Sequence, residues 1–213
     1  MSERLEVPVV HEPPLKRGLD IALSLIGLVL SAPLWPFVAL ITKIQGPGPV
    51  FYRQKRWGRG GVPFEVIKFR TMSTGGPRTD IEHGVANDPR VTRLGRVLRK
   101  TGLDELPQLV AILRGQMTLV GPRPLAVGER VRDTDGSWIS YEEIPGFLER
   151  LTVRPGLTGA STVHLPRDAS PRKKFEADLR YIESRTFGGD LGLLARSIIN
   201  SLTGAWDRYS RSS

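Results

Sequence analysis

From Ile21 to Ile41 the chain reads IALSLIGLVLSAPLWPFVALI, an apolar run without a single charged residue. A helix needs about 20 such residues to cross a bilayer, so this segment is long enough to enter one. A cleaved leader fits poorly, because the run begins some twenty residues into the chain and is followed by Lys43 instead of a small-residue cleavage site. Pro33 and Pro36 fall in its middle. Each removes a backbone donor and crowds the carbonyl four residues earlier, which predicts a sharp bend near Ser31 and Ala32. Ser31 is placed to hydrogen-bond backbone groups freed at that break. Basic residues flank both ends: Lys16 and Arg17 before, then Lys43, Arg53, Lys55 and Arg56 after. Positive residues favour the cytoplasmic side; if both ends obey that rule the segment is a broken helix that enters and leaves by one face, and otherwise it spans.

The remainder reads as one soluble unit. Lys+Arg number 31 against 22 Asp+Glu, a formal net charge of +9, which calls for an anionic partner: phospholipid, a phosphorylated small molecule or nucleic acid. There is no cysteine, which excludes disulfides and thiolate metal sites, and His11, His83 and His164 have no ligand spacing. After Gly46-Pro47-Gly48-Pro49, a stiff exit from the membrane, VFYRQKR and PFEVIKFRTM flank the turn WGRGG and predict a β-hairpin. Ser73 to Pro89 reads as a mobile loop. RVTRLGRVLRK sets Val91, Leu94, Val97 and Leu98 on one helical face, with arginines and Lys100 opposite. Further helices are expected from about Asp104 to Arg114, along RKKFEADLRYIESR with Phe175, Leu179 and Ile182 in register, and along LGLLARSIINSLTGAW with Leu194, Ile198 and Leu202 on one stripe. No βαβ repeat is visible, which argues against a Rossmann domain.

The chemistry concentrates in LDELPQL. Pro107 is tolerated only in the first turn of a helix, so Asp104 and Glu105 sit at a helix start. Acids there are stabilised by the helix dipole, and that alone accounts for them in most chains. The same place receives phosphate. With Arg99, Lys100 and the Arg123 of the GPRP loop nearby to neutralise phosphate charge, a carboxylate is a competent nucleophile toward a phosphoanhydride, and its neighbour suits a magnesium ion. Asp133-Thr134-Asp135 matches the DxD by which other glycosyltransferases hold a metal, but beside Gly136 and Ser137 it reads as a solvated turn.

KRGLDIALSLIGLVLSAPLWP, GPVFYRQKRWG, FEVIKFRTM, DPRVTRLGRVLRKTGLDELPQL, MTLVGPRP and VRPGLTG stand in the order found in the bacterial sugar transferases known as monotopic phosphoglycosyl transferases, and the chain resembles that family from Lys16 to about Gly159 and more weakly to Leu202. The resemblance implies an α+β protein: a re-entrant membrane helix over residues 16–45 after a flexible tail (1–15), then a mostly helical cytosolic domain (46–213) with a short β-hairpin and amphipathic interfacial helices. It implies transfer of a sugar 1-phosphate from a UDP-sugar to undecaprenyl phosphate, with UMP released. Asp104 would be the nucleophile and Glu105 the ligand of Mg2+. Arg99, Lys68, Arg70 and Arg123 would bind substrate phosphate, Arg154 would lie near the nucleotide, and Ser31 and Pro33 would form the membrane break. The implied setting is the cytoplasmic face of a bacterial inner membrane, in contact with phospholipid, with no nucleic acid and with a homodimer as the assembly it allows. Three places depart from the family pattern: Ser31-Ala32-Pro33 replaces Ser-Pro, Gln116 stands where an acid is common, and Ala160-Ser161-Thr162 replaces Trp-Ala-Gln. A non-enzymatic membrane adaptor with a basic lipid-binding face is the alternative reading, and it predicts lipid binding that survives loss of Asp104. A nucleic-acid binder is a third, opposed by the apolar segment.

Overall fold

The computed structural model describes residues 5–73, 88–166 and 168–203. The apolar segment forms α1 (Pro14–Ser31) and α2 (Leu34–Ile44), bent by 61° at the break. Pro33 sits in the break, while Pro36 falls in the first turn of α2, where a missing N–H costs nothing. Ser31 Oγ accepts from Trp35 Nε1 (3.2 Å) and donates to Leu28 O (3.3 Å), which ties the bend together from inside. Among the described residues no single helix is long and apolar enough to cross a membrane; the bent pair together is.

The first turns of α1 are docked on the rest of the protein. Lys16 Nζ meets Asp190 Oδ2 (2.6 Å) and Val120 O, and the Arg17 guanidinium donates to Ile112 O and Leu113 O. Asp20, 2% exposed, accepts from Thr118 Oγ1 (2.8 Å) and from the Leu119 N–H (2.9 Å). Lys16 and Arg17, expected as a basic flank, therefore spend their charged ends on protein partners. Past this anchor the pair carries a row of exposed apolar side chains, among them Leu25, Val29, Leu30, Phe37, Leu40 and Ile44.

Next comes the expected hairpin, β1 (Phe51–Trp57) antiparallel to β2 (Pro63–Phe69). Val66 and Phe69 point into the core, and Phe69 stacks on Phe51 below Trp35 of α2. The loop expected at Ser73 to Pro89 lies almost wholly outside the described residues, as does His83. The basic amphipathic helix is α3 (Arg93–Thr101), capped by Thr92, whose side chain accepts from the Gly95 N–H. Leu94 and Leu98 pack on Val38 and Phe69, whereas Val97 is exposed, so the buried face is narrower than the sequence pattern. Gly95 is required by closeness: a Cβ there would lie 2.1 Å from Thr71 O.

A short 3-10 turn (Leu103–Gln108) leads into α4 (Leu109–Leu113), where one continuous helix from Asp104 was expected. Beyond it, β3 (Thr118–Val120) pairs in parallel with β6 (Gly156–Thr158), a contact no local pattern announces. It sets the GPRP loop beside VRPGLTG: the Gly121 N–H bonds Thr158 O, and the Gly156 N–H bonds Pro122 O. Between them, β4 (Arg130–Arg132) and β5 (Trp138–Ser140) form a second hairpin, and α5 (Phe147–Arg150) follows. The Asp133-Thr134-Asp135 run is the tip of that hairpin; Asp133 pairs with Arg172 (2.5 Å) and Asp135 accepts from Ser137. α6 (Ala160–His164), α7 (Pro171–Ser184) and α8 (Phe187–Thr203) complete the unit. Residues 5–13, expected as part of a loose tail, pack instead against this unit: Val7 is buried, the Leu5 N–H bonds Gly61 O and the Val10 N–H bonds Thr152 O.

Candidate active site

The two adjacent acids are presented by a change of helix. α3 ends at Gly102, whose left-handed backbone (φ 73°) any side chain would strain, and the chain turns at once into the 3-10 segment. Asp104 and Glu105 fill its first turn, while Pro107, expected in the first turn of a helix, lies inside the 3-10 segment and takes one donor out of it. Underneath, β2 runs close to the turn and delivers Lys68, whose Nζ lies 2.5 Å from Glu105 Oε1. From the other side the GPRP loop brings Arg123, with Nη2 3.0 Å from the same oxygen. Arg99, in the last turn of α3, donates through Nε to Thr71 Oγ1 (2.9 Å), and its charge reaches Asp104.

The two acids differ in electrostatic state although they are neighbours. Asp104 is 8% exposed. Burial, and then the negative charge of Glu105, push its carboxyl above the usual range, while Lys68, Arg99 and Arg123 pull against that. Burial also pushes Glu105 upward, but Lys68 and Arg123, by charge and by hydrogen bond, outweigh it and hold that carboxyl well below the carboxylate range. For Lys68, burial draws the ammonium down and Glu105 opposes it. Arg123 is pushed up chiefly by Glu105. The result is one carboxylate locked ionised by two cations and beside it a second, more basic carboxylate. Phosphate oxygens are the natural third party to such a ring.

Of the residues the sequence nominates, Asp104, Glu105, Lys68, Arg99 and Arg123 are thus brought together. Two others lie elsewhere. The Arg70 guanidinium donates to Thr42 O, Gly46 O and Pro47 O (2.8, 2.8 and 2.6 Å), fastening the carbonyls at the end of α2 and its exit loop. Arg154 pairs with Glu12 of the N-terminal segment (2.9 Å). Ser31 and Pro33 form the bend, as described. For a metal, no group of three or more His, Asp or Glu gathers among the described residues. The donor set is nonetheless a fit for Mg2+, which takes one or two carboxylates and completes its shell with water and substrate phosphate. Glu105, whose Oε1 already meets Lys68 and Arg123, and Asp104 beside it are the residues that would hold such an ion.

The sequence reading missed the supports behind this ring. Arg56 Nη1 bonds Pro124 O (2.6 Å), and a buried pair, Arg150 with Asp178 (2.5 Å), stands behind Arg123. Asp178 carried a signal: it lies three residues after Phe175 on the core-facing stripe of α7, where an acid is out of place unless paired. Arg150 and Arg56 carried none.

Residues 11–204 match the family described as bacterial sugar transferase. An exopolysaccharide production protein of Rhizobium leguminosarum bv. phaseoli is 38% identical over 200 residues, covering 89% of this chain and 96% of that one. A UDP-glucose:undecaprenyl-phosphate glucose-1-phosphate transferase of Caulobacter vibrioides is 39% identical over 193 residues, 88% of this chain and 70% of its own. A UDP-N-acetylgalactosamine-undecaprenyl-phosphate N-acetylgalactosaminephosphotransferase of Aeromonas hydrophila is 38% identical over 193 residues, but this chain spans only 44% of its length. The last two carry different sugars in their names at similar identity, so likeness alone does not assign one. With the match running from the N-terminal segment to the end of α8, and with the five charged residues of the ring gathered at one turn, the chain is an enzyme of the bacterial sugar transferase family.

Proposed function

We propose that this protein transfers a sugar 1-phosphate from a UDP-sugar to undecaprenyl phosphate in two steps, through a phospho-sugar ester on Asp104, at the cytoplasmic face of a bacterial membrane. The observation that carries the reading is the ring of Lys68, Arg99 and Arg123 around Asp104 and Glu105. In the first step an Asp104 oxygen attacks the phosphorus that bears the sugar. An acyl–phosphate bond forms, the bond to the bridging oxygen breaks, and UMP departs with that electron pair. In the second, a phosphate oxygen of the lipid attacks the same phosphorus and Asp104 leaves as carboxylate. One phosphoanhydride replaces another, so positioning and charge neutralisation decide the rate.

Each residue then has a task. Asp104 must be ionised to attack, and the three cations favour that form against burial. Lys68 and Arg123, held on Glu105 at rest, are within reach of incoming phosphate oxygens; Arg99, held by Thr71, adds its charge toward Asp104. Bound at Glu105 and Asp104, Mg2+ would neutralise charge on the diphosphate. Both ends of the bent helix pair are fastened to the same folded unit, α1 by Lys16, Arg17 and Asp20 and α2 by Arg70, which supports a segment that enters and leaves the bilayer by one face. The exposed apolar side chains of that pair, with Val97 of α3 and Ile198, Ile199 and Leu202 of α8, support seating of the unit at the lipid boundary.

The test is UMP release by the purified full chain in detergent, from a panel of UDP-sugars with undecaprenyl phosphate. Asp104→Asn is expected to abolish release, and mass spectrometry of wild type quenched with UDP-sugar to place a phospho-sugar on Asp104. Normal turnover by the Asn variant refutes the proposal, and lipid binding without any UMP release by wild type would favour the adaptor reading.

A further inference from the structure

Arg150 ends α5 with its side chain turned inward, 4% exposed. Its Nη2 donates both to the backbone carbonyl of Arg123 (3.0 Å) and to Asp178 Oδ2 (2.5 Å), and its guanidinium carbon lies 4.2 Å over the ring of Phe175. Asp178, with no exposed surface, accepts in turn from the Ser161 N–H at the start of α6 (3.3 Å). One buried ion pair therefore joins α5, α7 and α6 to the single carbonyl of the residue that grips Glu105.

Stability is a poor reason for this arrangement. Two further nitrogens of Arg150, Nε and Nη1, are buried without a partner among the described residues. Desolvating a charge pair costs energy that its attraction often fails to recover, and well-packed apolar residues commonly do as well. What apolar residues cannot do is hold a carbonyl. Arg123 sits between Pro122 and Pro124, whose rings fix their own φ and restrict the residue before each. Arg56 holds the next carbonyl, that of Pro124. The peptide joining Arg123 to Pro124 is the remaining hinge, and its tilt sets the direction in which the Arg123 side chain leaves the loop.

We propose that Arg150, backed by Asp178, is a positioning residue for phosphate capture: it fixes the Arg123 peptide so that the Arg123 guanidinium faces Glu105 and the phosphate exchanged at Asp104. The phosphate part of this statement rests on the function proposed above, whereas the aiming of Arg123 does not. A misplacement of about 1 Å in such a group is enough to lose roughly 100-fold in rate.

A double-mutant cycle on the full chain in detergent tests it. Arg150→Met with Asp178→Leu replaces the pair by apolar residues of similar volume; the fold should survive by thermal melt, with kcat/KM for UMP release down about 100-fold. Added to Arg123→Ala, the same swap should cause little further loss, because its effect runs through Arg123. Multiplying losses overturn the proposal, as would full activity of the swapped protein. If the swap fails to fold, Arg150→Lys takes its place in the cycle: it keeps a charge for Asp178, but its shorter side chain ends before the place of Nη2, which serves both acceptors, and multiplying losses count against the proposal equally. Should wild type release no UMP from any UDP-sugar, the transferase reading fails by itself; crystal structures of wild type and of the folded variant then decide, and an Arg123 guanidinium still on Glu105 in the variant overturns the inference.

Discussion

Replacing Lys68 by methionine removes one of the two cations on Glu105 and, for Asp104, the strongest of the positive neighbours that oppose its burial. The Lys68 and Glu105 side chains are 18% and 19% exposed, so water screens their contact little. A hydrogen bond to a charged group contributes about 1.5–3 kcal/mol, and loss of that much from the transition state lowers kcat/KM roughly 10- to 100-fold. The pH dependence is the sharper signature. In the proposed mechanism Asp104 attacks as a carboxylate, and its carboxyl already lies above the usual range because it is buried beside Glu105. Taking away a cation disfavours the charged form further, so the acid limb of kcat/KM moves to higher pH and the variant loses more activity in mildly acidic than in mildly basic buffer. Adding Glu105→Gln removes a negative neighbour and should bring the limb back down. Initial rates of UMP release across the neutral range measure both effects. A loss that is uniform with pH, or a limb displaced toward acid, refutes the assignment of Asp104 as the ionised nucleophile governed by this ring.

Two other outcomes follow from contacts away from the ring. Asp20→Ala strands the Thr118 hydroxyl and the Leu119 N–H in the interior; at about 1–3 kcal/mol for each unsatisfied group the loss is near 3 kcal/mol, read as a lowered Tm in detergent. Asp20→Asn should recover most of it, since the amide oxygen still accepts from Leu119 and the hydroxyl of Thr118 can turn to accept from the amide. Asp133→Ala with Asp135→Ala should leave turnover unchanged, because these side chains bond Arg172 and Ser137 at a hairpin tip; a collapse of kcat would reinstate the metal-binding reading of that motif.

Local rules carried far in this chain. Pro33 breaks the apolar helix because a missing donor and a ring clash act within one turn, wherever the rest of the chain lies. Asp104 and Glu105 do stand in a first turn, although it is the left-handed Gly102 that opens this turn and Pro107 lies inside it, and the alternation of VFYRQKR and PFEVIKF is enough to form the hairpin that holds Lys68. Long-range contacts decided the rest. Whether Lys16 and Arg17 face lipid headgroups or protein depends on Asp190 and on the end of α4, far along the chain. Arg70 reads as a phosphate ligand and Arg154 as a neighbour of the nucleotide, yet in the fold the first meets the carbonyls after α2 and the second the carboxylate of Glu12. The parallel pairing of β3 with β6 brings GPRP beside VRPGLTG, and Arg150 and Asp178 become partners only when α5 folds onto α7. A sequence fixes which charges exist and how the backbone must turn at its prolines and glycines, because those constraints are covalent and short-ranged. Which charge meets which is settled by burial, since in a low-dielectric interior every ionised group must find its partner, and only the packed chain decides which partners are near.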